Sequence, residues 1–595
     1  MKSFWNEIPV NSGRKELESI VYISSMSDIA HLENLIHMGH YAQARSRAQE
    51  LLLSRSDLRI KQLYGLALSK SGVPEAAQEY LESVIKDVPE DAETNGILGS
   101  IYKELFKKNQ SSKYAVLARD TYDKNFQITR SYYTGINAAS MSTLAGQGRR
   151  GKEIAQEVLN VLKDPENDFW EAATQAEAFL LLKERAKSEE AYLKARKLAA
   201  TDWGKISSVY NQLWLLKHYL PVPNNVLKVF SPPVVVAFVG HMIDHPDRKH
   251  PRFPAAIETG VKNALLNNIK SLNAKIGYCS LACGGDILFA EAMEELGGEL
   301  NLFMPFKRSD FVEASVRFAG EGWVERFERL VNKYPVTYMT QGTYDGHADL
   351  FLLQTGIIFG QSILRSLSNH QEPTLMSVLS ERDQKRKTGG TRDTVGLWPY
   401  PKNHVTINPD LYINGVVEPI IDEVQHFPPV SSRPVLYVVC CDLASDDKLN
   451  NAVMHEMESG SLPPPIVLEV KDDQLLAGFK TVFGAMELCD AITKIMVKPF
   501  QQTSNIRISL HVGPIHINPE IAKQELSGDV ISMIERLHAL TLPGSIYATG
   551  IVAAVLALES KKYSFDYIDT LPTPAEAKDL DVFRVHVHHN IVQPA

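Results

Sequence analysis

The pattern of apolar and polar positions changes twice along the chain, and each change marks a predicted domain boundary. From residue 1 to about 225, apolar positions recur at helical spacing. The segment LPVPNN ends this pattern, because two prolines close together cannot continue a helix. Residues 232–398 then alternate strand-like and helical runs, beginning with the β-branched run PPVVVAFVG. This order predicts an all-α helical solenoid followed by a doubly wound, Rossmann-like α/β domain.

A third pattern follows a proline-bearing, irregular stretch, residues 399–432, which we interpret as a linker. Residues 433–590 read as strand, helix, a hairpin (PPIVLEVKDDQLLAGF), helix, strand, helix, strand and a closing strand. Mixed strands and helices around a hairpin favour an α/β sandwich of ferredoxin-like type. The hairpin tip carries Lys471, Asp472 and Asp473. These charges indicate either a solvated turn or a metal-binding carboxylate at a strand end.

A unit of about 34 residues repeats within the helical region. Gly65 and Gly99 lie 34 residues apart, and Ala77, Leu81 and Pro89 follow Gly65. These offsets resemble the tetratricopeptide repeat, in which a first helix packs on a second and the second then ends. Stacked repeats bury their apolar faces and leave a concave surface. We expect this surface to dock a protein partner, and a plain helical solenoid without a partner is the alternative.

The stretch YYTGINAASMSTLAGQ, residues 132–147, lies in this region. It resembles a signature in the helical-repeat region of the apoptosis signal-regulating kinases and of bacterial multidomain proteins. The resemblance covers about the first 220 residues. It implies a regulatory platform and no chemistry.

Composition indicates which binding partners and which cellular compartment to expect. The formal net charge of −9 gives no electrostatic reason to bind nucleic acid or an anionic membrane. Five cysteines without paired spacing indicate a reducing compartment. The start of the sequence lacks an apolar run of signal-peptide type, and GIVAAVLAL is about half the length that spans a bilayer. We therefore expect a soluble, cytoplasmic protein.

Two loops of the middle domain are candidates for holding an anion, since ligands of doubly wound sheets bind where strands end. The first follows PPVVVAFVG and the second opens the helix DILFAEAMEEL, where backbone N–H groups would face a phosphate. The candidate residues are Gly240, His241, Asp244, Arg248, Gly284, Gly285, Asp286 and Glu291. We expect Asp286 to cap the helix. Neither loop has Walker A or G-x-G-x-x-G spacing, so tight strand-to-helix turns remain the alternative.

The stretches VVVAFVGHMID and SLACGGDILFAEAMEELGGELNLFMPF resemble the SLOG superfamily, Rossmann-like domains that bind or process nucleotide-derived ligands. The glycine-rich segment and following glutamate of its phosphoribohydrolase branch are not present. The resemblance therefore implies sensing of a nucleotide-derived ligand. A nucleotide hydrolase or transferase that uses Glu291 is a third, weaker possibility. The loop TGGTRDT near residue 390 is interpreted as a surface turn.

Several pieces of the last domain resemble the class III adenylyl and guanylyl cyclase catalytic domain. They are the strand-terminal Asp442, the hairpin with Asp473, ISLHVGPI, the Gly-Asp before a helix, LPGSIYAT and DVFRVHV. The resemblance implies two metal ions, Mg²⁺ or Mn²⁺, held by Asp442 and Asp473. It also implies a nucleoside triphosphate substrate, a 3′,5′-cyclic nucleotide product and pyrophosphate. Since such sites form at a head-to-tail interface, it implies a homodimer.

Other positions carry over from the same resemblance. Arg536 matches the arginine that steadies the triphosphate, and Ser532 stands in place of the family's transition-state asparagine. Glu469 and Glu525 fall at the purine-selecting positions, and Lys578 is a candidate phosphate lysine. The turn after Asp442 reads ASDD, and Asp472 replaces a glycine. These departures favour a non-enzymatic nucleotide-binding scaffold with a degenerate cyclase domain, whereas the retained residues favour an active cyclase under the control of the other domains.

Overall fold

The computed structural model describes residues 27–245, 247–248, 250–346, 348–382, 390–413, 434–443, 455, 460, 462–471, 473–500 (backbone alone from 495), 506–515, 528–559, 562–574 and 577–588. The chain divides into two compact units, residues 1–232 and 233–595. The first is helical, and the second contains two β-sheets with their helices.

The helical unit is a series of helices in which each packs on the next along the chain. In order they are α1 (27–37), α2 (Tyr41–Ser54), α3 (Leu58–Lys70), α4 (Pro74–Ile85), α5 (Ala92–Asn109), α6 (Ser112–Thr129), α7 (Tyr132–Leu144), α8 (Gly148–Val161), α9 (Phe169–Leu182), α10 (Arg185–Ala199), α11 (Trp203–Leu216) and α12 (Asn224–Phe230).

Small residues let the two helices of a repeat approach closely, as the repeat pattern predicts. A Cβ added to Gly65 of α3 would lie 2.5 Å from Leu81 Cγ of α4. A Cβ on Gly99 of α5 would lie 3.0 Å from the ring of Tyr122 on α6. Each glycine therefore makes room for a large side chain of the following helix.

An aspartate caps the first helix of several repeats. Its carboxylate accepts a hydrogen bond from the backbone N–H three residues on, which satisfies a donor that the helix leaves unpaired. This occurs at Asp57, Asp91, Asp168 and Asp202, which precede α3, α5, α9 and α11. The start of each of these helices is thus specified locally.

The first sheet of the second unit has six parallel strands in the order β4-β3-β2-β1-β5-β6. The strands are β1 (Val234–Gly240), β2 (Ala274–Cys279), β3 (Glu299–Met304), β4 (Val336–Tyr338), β5 (Thr374–Val378) and β6 (His404–Ile407). The helices are α13 (Glu258–Leu272), α14 (Gly285–Glu295), α15 (Arg308–Ser315), α16 (Glu321–Lys333), α17 (Asp349–Leu367) and α18 (Thr391–Val395). The direction of the strand order reverses between β1 and β5.

Two expectations for this region were wrong. The predicted linker contributes β6, which pairs with β5 from Leu375–His404 to Val378–Ile407. The segment interpreted as a surface turn near residue 390 contains the short helix α18. Both elements are four or five residues long, too short for a periodic pattern to be visible.

The second sheet has seven strands in the order β12-β13-β11-β10-β7-β9-β8. They are β7 (Val435–Asp442), β8 (Val467–Lys471), β9 (Gln474–Phe479), β10 (Ile508–Pro514), β11 (Ile546–Thr549), β12 (Tyr563–Leu571) and β13 (Leu580–Val587). Its helices are α19 (Val482–Phe500), α20 (Asp529–Leu540) and α21 (Gly550–Ala557). The β10–β11 pair is parallel and the other pairs are antiparallel.

Helices α17 and α21 join the two sheets into one unit. A Cβ on Gly360 would lie 1.8 Å from the carbonyl oxygen of Ala554, so the two backbones are in direct contact. Gln361 Nε2 donates to the carbonyl oxygen of Gly550 at 2.8 Å. Among the described residues, α17 alone is long and apolar enough to cross a membrane, and 61% of its most apolar 18-residue window is buried inside the protein.

Candidate functional site

The crevice beyond β1 and β5 is the point where the strand order reverses, and ligands of open α/β sheets bind at such points. The loop after β1 and the loop after β5 meet there. The N–H of His241 donates to the carbonyl oxygen of Val378 at 3.0 Å, and Arg382 donates to the carbonyl oxygen of Pro251 at 2.8 Å. Residues from two distant segments therefore form one site.

His241 is the buried centre of this crevice, with 2% of its surface exposed. Burial lowers the pKa of its imidazole well below the ordinary value. Three guanidinium groups lower it further, those of Arg252, Arg248 and Arg392. His241 is thus neutral at pH 7, and the three arginines give the crevice a concentration of positive charge.

The carboxylate of Asp244 holds the loop that carries Arg248 and Arg252, and a hydrogen bond holds Arg392. Asp244 Oδ2 accepts from the backbone N–H groups of Arg252 and Phe253, each at 2.7 Å, and Asp244 Oδ1 lies 3.3 Å from Arg248 Nε. Arg392 donates to the carbonyl oxygen of Ser380 at 3.0 Å, while its buried Nε has no hydrogen-bond partner in the described part of the chain. An N–H group with no partner at a crevice is suited to an acceptor that a ligand supplies.

The glycine turns pack the two predicted loops together. The N–H of Gly285 donates to the carbonyl oxygen of His241 at 3.0 Å. Gly284 has a φ of +100°, and a Cβ there would lie 2.5 Å from Ile243 N. Gly240 lies against Gly285, where a Cβ would be 3.0 Å from its Cα. The N–H of Gly285 is therefore used within the protein, and the positive charge of the crevice lies with its arginines.

Asp286 does not cap α14, because Gly284 occupies the N-cap position. Its carboxylate lies in the first turn and accepts hydrogen bonds from the N–H groups of Ala282 and Gly240. Burial raises the pKa of Asp286 to about 7, and these hydrogen bonds oppose the rise. These two N–H groups belong to the loop before α14 and to the end of β1, so the carboxylate of Asp286 joins that loop to the strand.

The structure does not bring Glu291 to the crevice. Its carboxylate forms two hydrogen bonds with Arg326, Oε1 to Nε at 2.8 Å and Oε2 to the terminal nitrogen at 2.7 Å. Lys262 lies 3.8 Å away on another helix. These contacts connect α14 to α16 and α13, so the role of Glu291 in the structure is to hold helices together.

The second candidate site is at the ends of β7 and β9, where the structure brings Asp442 and Asp473 together. Asp442 pairs with Gln474 across the two strands. The N–H of Leu443 donates to the carbonyl oxygen of Asp473 at 2.7 Å. Asp473 is at the hairpin turn with a φ of +61°. The backbones at the two predicted metal positions are therefore adjacent.

Both carboxylate oxygens of Asp442 accept hydrogen bonds from other side chains of the protein. Its Oδ2 accepts from Arg507 Nε at 2.7 Å, and its Oδ1 accepts from Arg507 at 3.1 Å and from His538 Nε2 at 2.8 Å. Burial raises the pKa of Asp442, but the hydrogen bonds from Arg507 and His538 outweigh it, so the pKa is lowered. His538 Nδ1 in turn lies 2.9 Å from the hydroxyl of buried Ser509.

These residues, as arranged, do not fit the Mg²⁺ or Mn²⁺ pair that the cyclase resemblance implies. Both oxygens of Asp442 already bind cationic or N–H donors, and a divalent ion would have to displace Arg507 and His538. No group of three or more His, Cys, Asp or Glu that could hold a metal occurs among the described residues.

The other residues predicted from the cyclase pattern are dispersed. Ser532 and Arg536 lie on an exposed side of α20, where Arg536 donates to the carbonyl oxygen of Pro572 at 2.6 Å. His538 is on the buried side of the same helix. Glu469 is on β8, opposite Leu476 of β9. Glu525, Asp446, Asp447 and Asp472 lie outside the described residues.

Lys578 lies at the junction with the other sheet. Its N–H donates to the carbonyl oxygen of Val336 at 2.8 Å, and its Nζ lies 3.5 Å from Asn301 Oδ1. Neighbouring Ala577 forms an isolated parallel bridge with Val336. The position of this lysine depends on contacts between two sheets that local sequence patterns do not reveal.

A polar cluster occupies the centre of the helical unit. Lys103 Nζ donates to Asn137 Oδ1 at 2.8 Å and to Gln212 Oε1 at 2.9 Å. Glu177 Oε1 accepts from Ser140 at 2.5 Å and from Gln212 at 2.7 Å. Burial lowers the pKa of Lys103 to about 8 and raises the pKa of Glu177. The helices α5, α7, α9 and α11 therefore meet through their own polar side chains.

A family model described as Tetratricopeptide Repeats-Sensor matches residues 40–142. The N-terminal region contains tetratricopeptide-like sensor repeats. This confirms the repeat that the glycine and alanine spacing predicts, from α2 to most of α7. A comparison with curated proteins gives no match.

Solved structures similar to parts of the chain include a thermophilic tetratricopeptide-repeat protein of Thermus thermophilus, with 15% identity and a TM-score of 0.27, covering 32% of this chain and 98% of that one. The adenylyl cyclase CyaB of P. aeruginosa has 14% identity and a TM-score of 0.22, and the match covers 26% of this chain and 96% of that one. The guanylate cyclase domain of RhGC from Catenaria anguillulae, in complex with GTP, has 15% identity and a TM-score of 0.21. That match covers 26% of this chain and 97% of that one.

Proposed function

We propose that this protein is a cytoplasmic signalling regulator that binds a nucleotide-derived anionic ligand in the crevice beyond β1 and β5. The observation that carries the proposal is the group of three arginines around buried, neutral His241. In this proposal the helical repeats bind a protein partner, and the ligand state of the second unit controls the signal.

The chemistry of the crevice favours binding over catalysis. Guanidinium groups bind phosphate oxygens with two parallel hydrogen bonds, and they keep their charge at all physiological pH values. A neutral imidazole adds a hydrogen-bonding group without adding charge. The acids nearby are engaged, because Asp244 holds the loop and Asp286 binds backbone N–H groups. A ligand with at least one phosphate group is the best match.

The test is calorimetric titration of the full chain with ADP-ribose, ATP, GTP and cyclic AMP. We expect at least one of them to bind, with affinity that falls as salt rises. Arg392→Ala and Arg248→Ala should each weaken binding at least tenfold. Arg317→Ala is the matched control, since Arg317 pairs with Glu313 and Glu321 on the surface of the same unit. Equal affinity of all three variants would contradict the proposal.

A nucleotidyl cyclase is the second candidate function, and one observation favours it. The hairpin places the backbone of Asp473 against the end of the strand that carries Asp442. An active site of this kind would include Arg536 from the second chain of a homodimer. The pairing of Asp442 with Arg507 and His538 favours the regulator.

Product analysis separates the two candidates. Purified protein with Mn²⁺ and either ATP or GTP is assayed for cyclic nucleotide by mass spectrometry, with Asp442→Ala and Asp473→Ala as controls. Cyclic nucleotide that forms with the unmodified protein and disappears in both variants would establish cyclase activity and show whether ATP or GTP is the substrate. In that case Ser532→Asn should raise the rate, because it restores a positioned donor. Absence of product together with nucleotide binding supports the regulator.

A further inference from the structure

The junction between the two sheets of the second unit contains a partly open cavity of about 390 Å³. Strands β2 and β3 and helix α17 line one side, and β12, β13 and the start of α21 line the other. Cavities of this size hold small organic ligands. Because both domains contribute, a bound molecule would contact them at the same time.

Four aromatic rings contribute to the wall, beside polar and charged side chains that include Glu299, Asp579 and Asp581. Tyr278 and Phe303 of the first sheet have ring centroids 6.2 Å apart with an interplanar angle of 25°. Tyr567 and Phe583 of the second sheet have centroids 5.9 Å apart at 81°. Aromatic walls from two directions favour a flat ring as the ligand's apolar part.

A carboxyl group in the wall lacks a donor. Among the described residues, none donates a hydrogen bond to the side chain of Asp581, which is only partly exposed. Burial raises the pKa of Asp581, while Lys578 and Arg365 lower it. A carboxylate in such a place is stabilised by N–H groups that a ligand brings.

Two cationic side chains lie at the rim of the cavity, and each has a long polar contact with its neighbour. Arg365 lies 3.5 Å from Glu299, and Lys578 Nζ lies 3.5 Å from Asn301 Oδ1. Both contacts are long for hydrogen bonds of charged groups, so each side chain can turn towards an anion at small cost. The two cations come from the two domains, one from α17 and one from the segment before β13.

We propose that this cavity binds a purine nucleotide, with the base between the aromatic rings, its N–H groups on Asp581, and its phosphate on Lys578 and Arg365. A ligand in this position binds only when the two sheets are docked as in the structure, so it stabilises the junction between them. The site shares no residue with the crevice beyond β1 and β5.

Photolabelling locates the ligand directly. The full chain is incubated with 8-azidoadenosine 5′-monophosphate, irradiated and digested, and labelled peptides are identified by mass spectrometry. The expected result is label on peptides that contain Tyr278, Phe303, Tyr567 or Phe583. Label confined to the loops after β1 and β5 would overturn the cavity proposal while supporting the crevice, and label on neither would overturn it as well.

Substitutions give the matched controls. Lys578→Met and Asp581→Asn should each reduce labelling of the cavity peptides at least tenfold, and Leu364→Trp, which fills the cavity, should abolish it. Lys562→Met is the control, because Lys562 lies over the rings of Phe483 and Tyr563 outside the cavity. Arg392→Ala should leave cavity labelling unchanged. Labelling that survives in both Lys578→Met and Asp581→Asn would overturn the proposal.

Discussion

Asp286 shows how a single buried acid links the crevice to pH. Its folded pKa of about 7 lies above the unfolded value of about 4. Between these values the folded state holds a proton that the unfolded state has lost, so its contribution to the free energy of unfolding falls as pH rises. Below about pH 4 both states are protonated, and the contribution is fully present.

We therefore expect Asp286→Asn to remove this dependence, because the amide has the same shape and carries no charge. The free energy of unfolding, measured by urea titration at pH 5, 6, 7 and 8, should fall less steeply in the variant. The difference in slope should approach about 1.4 kcal/mol per pH unit below pH 7. Parallel curves for the two proteins would show that Asp286 is ionised throughout.

The pairing of Asp442 with Arg507 is tested by a double-mutant cycle. Arg507→Met should lower the free energy of unfolding by about 1 to 2 kcal/mol, because it removes hydrogen bonds to a carboxylate that is 20% exposed. Asp442→Asn in the same background should cost less than it does alone. Additive effects would mean that the two side chains do not interact in solution.

At the residue scale, the sequence predicts which residues lie at strand ends. It does not predict which side chains from distant segments contact those residues. His241 and Asp442 were found because His241 follows an apolar strand and Asp442 ends one. Arg392, Arg507 and His538 were missed, since each reaches its partner through strand order or helix packing between distant segments. Local periodicity has no information about strand order.

At the scale of elements, α17 is the helix on which the junction depends. Gly360→Ala would place a Cβ 1.8 Å from a backbone oxygen of α21, and a backbone cannot move aside as a side chain can. We expect a loss of stability of about 3 kcal/mol or more, as in overpacked cores. The measurement is urea unfolding of the full chain, followed by a signal from the second unit.

Gly356 on the same helix is the matched control. A Cβ there meets only Leu558 Cδ1, at 3.9 Å. Gly356→Ala should be neutral or stabilising by up to about 1 kcal/mol, because alanine favours the helix. Similar losses in both variants would show that the helix, and not its contact with α21, is the sensitive feature.

The helical repeats were predicted well, whereas several later elements, including the 19-residue helix α17, were not. The helical repeats have caps, small–large pairs and a repeated spacing, so several signals agree. Strand β6 has four residues in a proline-bearing stretch, and it is a strand because β5 is beside it. Strand β12 was not predicted, because its polar residues interrupt the alternation and its pairing with β13 has an irregularity between Tyr567 and Asp569.

At the scale of the molecule, the two compact units set where the chain can be divided. We expect residues 27–232 and 233–595 to fold separately, each with a cooperative thermal transition followed by circular dichroism. Residues 233–413 alone should aggregate or melt without cooperativity, because α17 would lose α21 and Val336 would lose its bridge to Ala577. A cooperative monomer of 233–413 would show that the first sheet needs no partner.

The bridge between Val336 and Ala577 also bears on how the protein is made. During translation the last strand of the first sheet, β6, is complete at residue 407, but the residue that bridges β4 appears roughly 170 residues later. At about 5–20 residues per second, this leaves an interval on the order of ten seconds or more. For most of this interval, until α21 is complete at residue 557, α17 lacks the helix on which it packs, and we expect the nascent chain to present that surface to chaperones or to neighbouring chains on the same polysome.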